Sequence, residues 1–259
     1  MMLNRHIKPG LRVLVTAGAS GIGRTIAEVF KEDGAQVHIC DINEAALMEC
    51  ANTLGVSTTV TDVSQEAAVA DMVSQAVKTL GGLDVLINNT GIAGPTGTVD
   101  TITADAWRQT IDINLNGQFY CAHYAVPHLR AAGEAAIINM SSSAGRFGYA
   151  YRTPYSASKW AIVGFTQSLA KELGPEGIRV NAILPGIVEG PRMEEVIRAR
   201  AVQAGVAYAV MEAEYLGRIS LRQMVTADDI AATALFLCSR AGWMISGQSI
   251  PVCGNVESL

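Results

Sequence analysis

The amino-acid sequence predicts an α/β fold, a doubly wound parallel sheet of about seven strands with helices on both faces. Three observations predict it. Short apolar runs alternate with amphipathic helical stretches along the chain, the pattern of buried parallel strands joined by crossover helices. The first run, RVLVT, leads into a turn containing Gly18, Gly21 and Gly23 that opens a helix. No linker rich in Pro, Gly or Ser, and no break in composition, divides the 259 residues, so they read as one domain, 1–259.

In order, RVLVT is followed by a helix from about Gly21, QVHIC by a helix through EAALMECANTL, and STTVT by a helix near QEAAVADMVSQAVKTL. LDVLINN precedes a long helix beginning near Ala104, and AAIINMS precedes a helix from about Tyr155 to Leu173. IRVNAIL is the sixth strand, and the helix ADDIAATALFLC leads to a last strand in QSIPVC. The segment from about 190 to 226 breaks this rhythm with a charged, helical insertion. Ligands of open α/β sheets sit beyond the carboxyl ends of the strands, so the insertion is either a substrate lid or a surface helical hairpin.

A net charge of -5 and the lack of a dense Lys/Arg run argue against nucleic acid or an anionic membrane as the main partner. A small-molecule substrate is expected. No apolar segment has the length of a signal peptide or membrane span, which predicts a soluble, cytoplasmic protein. Cys40, Cys50, Cys121, Cys238 and Cys253 are scattered without a CxxC pair and read as buried reduced thiols. His123 and His128 fall on different helix faces; the four histidines read as surface or edge residues, and no metal site is expected.

Glycines between a strand and a helix let the backbone approach a pyrophosphate, and the helix N-terminus supplies N–H donors and partial positive charge. The general GxGxxG pattern fits poorly, because Ile26 stands where the third glycine belongs. Asp41 closes QVHICD at the distance expected of a ribose-binding acid; alternatively it caps the next helix. Ser20, not a basic residue, precedes Gly21, and Ile42 and Asn43 follow Asp41. Nothing there would welcome a 2'-phosphate, so the expected cofactor is NAD rather than NADP.

Tyr155 and Lys159 in YSASK lie four apart on one face of a helix. A tyrosine hydroxyl has an ordinary pKa of about 10, and a nearby ammonium favours the phenolate, which could then exchange a proton with an alcohol or carbonyl oxygen. By itself the pair equally describes an ordinary helix face.

LINNTG, INLNG, INMSSSAG, YSASK and LPGIVEGP, in that order along the chain, resemble the short-chain dehydrogenase/reductase family, and the likeness covers essentially the whole chain, about Leu11 to Asn255. The resemblance implies a Rossmann-type sheet and a catalytic set of Asn114, Ser142, Tyr155 and Lys159. Tyr155 is the implied acid/base, Lys159 the group that lowers its pKa and holds the nicotinamide ribose, Ser142 the hydrogen-bond partner of the reacting oxygen, and Asn114 part of a water-linked proton relay. Ser141 and Ser143 then read as structural. Implied cofactor contacts are Ala17, Ser20, Gly21, Ile22 and Gly23 in the first loop, Asp41, Asp62 and Val63 around the adenosine, and Asn89 and Gly91 after the fourth strand. Pro185, Gly186 and Val188 follow the sixth strand, and Tyr155 and Lys159 complete the set. Asn88 is placed where the family packs cofactor against the fourth strand. A homotetramer built through the long helices and the last strand is also implied.

Four positions depart from the family pattern: Ala17 replaces the first glycine of TGxxxGxG, Thr90 the alanine of NNAG, Gly190 a threonine and Cys253 an aspartate. Ala17 is expected at negative φ, where a methyl group is tolerated. Arg192 is either a receptor for an anionic substrate or a solvated lid residue. The resulting expectation is an NAD-dependent oxidoreductase of a secondary alcohol or ketone, with a sugar, polyol or hydroxy acid favoured. A 3-oxoacyl-thioester (acyl-carrier-protein) reductase is the alternative, and a non-catalytic dinucleotide sensor a further one.

Overall fold

The computed structural model describes residues 6–256, apart from the side chains of Arg192 and Gln203. The strands are β1 (Arg12–Thr16), β2 (Gln36–Asp41), β3 (Ser57–Val60), β4 (Val85–Asn88), β5 (Ala135–Met140), β6 (Ile178–Pro185) and β7 (Ser249–Val252). They form one sheet in the order β3-β2-β1-β4-β5-β6-β7, every pairing parallel. Every residue of β4, β5 and β6 is buried, which is why these runs read as continuously apolar rather than alternating. The order reverses between β1 and β4, opening a crevice at their carboxyl ends.

The main helices are α1 (Gly21–Glu32), α2 (Glu44–Leu54), α3 (Glu66–Leu80), α4 (Ala104–Ile111), α5 (Gly117–Ala132), α6 (Thr153–Leu173), α7 (Pro191–Ala204), α8 (Tyr208–Gly217) and α9 (Ala227–Cys238). Ile26 and Phe30 of α1, Leu47 of α2 and Ile230 and Leu237 of α9 pack on one face with Val13, Val15 and Ile138. On the other face Met72 of α3, Leu129 of α5 and Leu173 of α6 meet Leu14, Ile137 and Val180. Each such aliphatic side chain contributes about 1.5–3 kcal/mol by leaving water. The helix starts are chemically specified: Asn43 accepts from Ala46 N at 3.1 Å, Thr103 from Ala106 N at 3.2 Å, and Thr226 and Asp229 cap α9 reciprocally.

The long helix expected from Ala104 is present and runs unbroken to Ala132, with a π-turn at Asp112–Asn116 between α4 and α5 that shifts the helical phase at Asn114. One expectation needs correction. His38 is neither at the surface nor on an edge strand. Its ring is wholly buried on β2, with Nδ1 2.8 Å from Ser57 Oγ and Nε2 2.9 Å from Thr59 Oγ1 of β3. Burial lowers its pKa to about 4.

The insertion forms α7 and α8, and its ends are fastened by backbone pairing: Val225 N donates to Ile187 O and Glu189 N to Val225 O, both at 2.9 Å. A cavity of about 460 Å³ beneath these helices is lined by Met193, Ile197, Tyr208, Met224, Glu194 and Arg222, among others. At the open edge of the sheet, β7 carries an exposed proline, Pro251. Among the described residues no helix is long and apolar enough to cross a membrane, and no cluster of His, Cys, Asp and Glu could hold a metal ion.

Candidate active site

The turn after β1 corrects the expectation for Ala17, whose φ is +49° rather than negative. The chain must reverse at once: Gly18 N donates to Cys40 O at 3.0 Å, and a Cβ on Gly18 would come within 2.7 Å of Ile39. Close approach to β2 therefore occupies Gly18, and the left-handed conformation falls on its neighbour. Gly23 has a packing role, since a Cβ there would stand 2.1 Å from Ala17 O and 2.6 Å from Asn89 Nδ2. Gly21, at φ +50°, faces open space. Ser20 precedes α1 without a side-chain cap, so the N-terminal N–H groups of Gly21, Ile22 and Gly23 are presented to the crevice without a hydroxyl lid.

Asp41 Oδ2 accepts from Ala19 N at 3.3 Å, and Asp41 Oδ1 from Asn43 N at 3.1 Å. Asn43, not Asp41, caps α2, which removes the capping alternative for the aspartate. Asp62 Oδ1 accepts from both Ser64 N and Ser64 Oγ, at 2.9 and 2.8 Å, and Val63 packs under the start of α5 at Gly117.

The loop after β4 is fastened to that after β1. Thr16 Oγ1 accepts from Asn89 N and Thr90 N, each at 3.0 Å, and Asn89 Nδ2 donates to Thr16 O at 3.1 Å. Asn88, by contrast, turns into the core and donates to Asn139 Oδ1 at 2.9 Å, so its side chain does not reach the crevice. The Thr90 hydroxyl, buried beside the crevice, has no partner within the protein. This orphan donor, the open space at Gly21 and the uncapped start of α1 fit an elongated ligand bearing both phosphate and polar ring groups.

The π-turn aims Asn114 back at this loop. Asn114 Oδ1 accepts from Ile92 N at 2.7 Å, and its Nδ2 donates to Ile92 O and Ser158 Oγ at 3.0 and 3.1 Å. Gly91 is where this clamp meets Lys159: a Cβ there would lie 3.1 Å from Lys159 Nζ and 3.4 Å from Asn114 Oδ1.

Three consecutive serines follow β5. Ser141 Oγ donates to Lys159 O at 2.8 Å and Ser143 Oγ to Pro185 O at 3.1 Å, both buried. Ser142 differs: its Oγ accepts from Ala144 N at 3.1 Å, leaving the hydroxyl proton for an outside acceptor. On α6, Lys159 is buried and donates from Nζ to Met140 O at 2.9 Å, with Nζ 5.7 Å from the centre of the half-buried Tyr155 ring. Burial lowers the Lys159 pKa to about 8. After β6, Gly186 N donates to Val252 O at 2.9 Å, a Cβ on Gly186 would meet Cys253 at 2.7 Å, and Val188 pairs with Val225.

Asn114, Ser142, Tyr155 and Lys159 thus converge at the carboxyl end of the sheet. The side chain of Arg192 lies outside the described residues. Thr16 and Arg152 also fasten or border this region; Thr16 is the threonine of the TGxxxGxG pattern, whose clamp on the loop after β4 the pattern does not show, and Arg152 stands three residues before Tyr155.

Residues 16–255 match a family model described as Enoyl-(Acyl carrier protein) reductase. Among curated proteins, the chain is 38% identical over 188 residues to 2-dehydro-3-deoxy-L-rhamnonate dehydrogenase (NAD(+)) of Sphingomonas sp. (strain SKA58), covering 72% of this chain and 76% of that one. It is 34% identical over 252 residues to the 3-oxoacyl-(acyl-carrier-protein) reductase of Chlamydia pneumoniae, covering 95% and 97%. It is 35% identical over 253 residues to cis-4-hydroxycyclohexanecarboxylate dehydrogenase of Sinomonas cyclohexanicum, covering 95% and 96%. The crystal structure of NAD+-bound xylitol dehydrogenase superposes with a TM-score of 0.89 at 28% identity, covering 95% of this chain and 99% of that one. Sheet order, crevice and sequence matches agree: the chain belongs to the short-chain dehydrogenase/reductase family.

Proposed function

We propose that the protein is an NAD-dependent dehydrogenase of secondary alcohols, with sugars, polyols or hydroxy acids as the substrate class. The observation that carries this reading is the convergence of Ser142, Tyr155 and Lys159 at one end of a crevice whose other end holds Asp41. Bound NAD supplies the hydride acceptor. Tyr155, as phenolate, takes the proton of the substrate hydroxyl, and Ser142 donates a hydrogen bond to the same oxygen as it becomes a carbonyl. Lys159 favours the phenolate by its charge. Asn114 holds Ile92, and hence the loop walling the site, by hydrogen bonds in both directions. Its amide is thereby occupied by Ile92 and Ser158.

NAD rather than NADP is supported at the adenosine end. Asp41 would repel a 2'-phosphate, and the nearest cation on α1, Arg24, is held by Glu28 at 3.0 Å and Glu49 at 2.8 Å. The relatedness to a 3-oxoacyl-(acyl-carrier-protein) reductase supports that activity as a second reading. The insertion at 190–226 is paired to the body of the fold at its ends and again where Ser220 N and Leu221 N donate to Asn255 O and Gly254 O, and the α7–α8 pair between these points is suited to act as a lid. Exposed Trp107, Phe119 and Trp160 on α4, α5 and α6 offer an apolar face for association into a homotetramer, checked by light scattering.

The test is turnover with NAD and NADP across secondary alcohols, sugars, hydroxy acids and 3-oxoacyl thioesters, with Tyr155→Phe as control. The expected result is NAD-linked turnover that Tyr155→Phe lowers at least about a thousandfold while NAD still binds. Preference for NADPH and a thioester would establish the second reading; NAD binding without any turnover would establish a sensor.

A further inference from the structure

Arg152 stands immediately before α6, three residues ahead of Tyr155, and its guanidinium lies 5.6 Å from the centre of the Tyr155 ring and 5.6 Å from that of Tyr149. It is held in place from the facing loop. Its terminal nitrogens donate to Ala93 O at 3.0 Å and Thr96 Oγ1 at 3.1 Å, while Tyr151, at φ +64°, accepts from Gly97 N at 2.9 Å. Both hydrogen-bond acceptors of Arg152 are neutral. Among the described residues no carboxylate lies within ion-pair distance of it, and its Nε is buried without an acceptor.

Fastening two loops through a carbonyl and a hydroxyl does not require a formal charge. A partly buried cation without a counter-ion is costly, and a guanidinium retains N–H donors beyond the two bonds it makes. The start of α6 adds partial positive charge at the same place, and Lys159 adds another cation 5.7 Å from the same tyrosine ring. The reacting end of the site therefore holds two cations and a helix N-terminus, and the single charge of a Tyr155 phenolate offsets no more than one of the cations.

We propose that Arg152 is a specificity-determining residue that receives a carboxylate of the substrate, so that the natural substrate is a hydroxy acid or its oxo acid rather than a neutral alcohol. This rests on the dehydrogenase reading. It replaces the insertion with the neighbour of Tyr155 as the origin of anion recognition. The carboxylate supplies the missing counter-charge through charge-assisted hydrogen bonds, and it docks on a group whose distance from Tyr155 is set by the same helix. Two relatives have names that specify carboxylate substrates, 2-dehydro-3-deoxy-L-rhamnonate and cis-4-hydroxycyclohexanecarboxylate.

The experiment compares lactate, 3-hydroxybutyrate and cis-4-hydroxycyclohexanecarboxylate, each against its own carboxamide, by calorimetric binding to the NAD-saturated protein and by kcat/KM. At least one acid is expected to bind ten times or more tightly than its amide, and Arg152→Gln should reduce that ratio to near one, with Arg152→Lys between. An acid-to-amide ratio that Arg152→Gln leaves unchanged, or a wild-type protein that favours no acid, overturns the proposal. In that case turnover of neutral alcohols would leave the dehydrogenase reading standing. Carboxylate binding that requires Arg152 but is followed by no turnover would instead uphold the recognition site and overturn the dehydrogenase.

Discussion

Asn89 Nδ2 donates to the main-chain oxygen of Ala17 at 3.2 Å, so the loop after β4 holds the left-handed turn after β1 from across the switch point. An alanine at φ +49° carries strain of about 1 kcal/mol that glycine would not. Ala17→Gly is therefore expected to raise stability by about 1 kcal/mol in urea unfolding. NAD affinity should change less than tenfold, because Asn89 fixes the turn in either case; a larger gain would mean that Ala17 distorts the phosphate cradle.

Gly21 and Gly23 should respond differently to the same substitution. Gly23→Ala drives a methyl group into Ala17 O and Asn89 Nδ2, at 2.1 and 2.6 Å, and should cost about 3 kcal/mol together with NAD binding. Gly21→Ala meets nothing within 4 Å, and only its φ of +50° penalises it, by about 1 kcal/mol. Thermal unfolding of the two variants beside calorimetry with NAD gives the comparison, and equal losses would contradict it.

Lys159 makes stability depend on pH. Its pKa falls from 10.5 to about 8 on folding because burial penalises the charge, so between those values the unfolded chain binds a proton that the folded chain has released. Stability then rises with pH through that window, and the destabilising contribution is fully present below about pH 8. The difference in unfolding free energy between wild type and Lys159→Met, measured without cofactor, should shift in favour of wild type by about 3 kcal/mol across the window. A difference that stays flat would show that Lys159 is not desolvated.

At the adenosine end, Asp41→Asn removes the charge that opposes a 2'-phosphate while keeping an acceptor for Ala19 N. The ratio of kcat/KM for NAD to that for NADP should fall at least about tenfold. Adding Glu49→Gln releases one of the two carboxylates on Arg24 and should move the ratio further in the same direction. No movement in either variant would place cofactor choice elsewhere.

Sequence pattern reached the strands because apolar runs such as β4, β5 and β6 repeat a local rule; the four-residue spacing of Tyr155 and Lys159 on α6 is local too, but Asn114 and Ser142 join them only through the family resemblance, since they lie on other elements. It did not reach the π-turn at Asp112–Asn116, which depends on the distant backbone of Ile92 rather than on local helix propensity. Ala17 takes the left-handed turn although Gly18 follows it, because packing against Ile39 claims Gly18, a tertiary contact that glycine spacing does not encode. His38 is buried rather than exposed because hydroxyls on the neighbouring strand satisfy its ring, and those partners follow only from the register that pairs β2 with β3. The hydrogen bonds of Arg152 likewise reach residues more than fifty positions away in sequence.

Pro251, on the outermost strand, offers no N–H to a newcomer, so the backbone beyond β7 is a poor template for an eighth strand. Copies of this chain that meet at that edge are thereby steered toward interlocking side chains instead of a continuous ladder, and the same proline that ends the sheet guards the folded protein against fibrous growth.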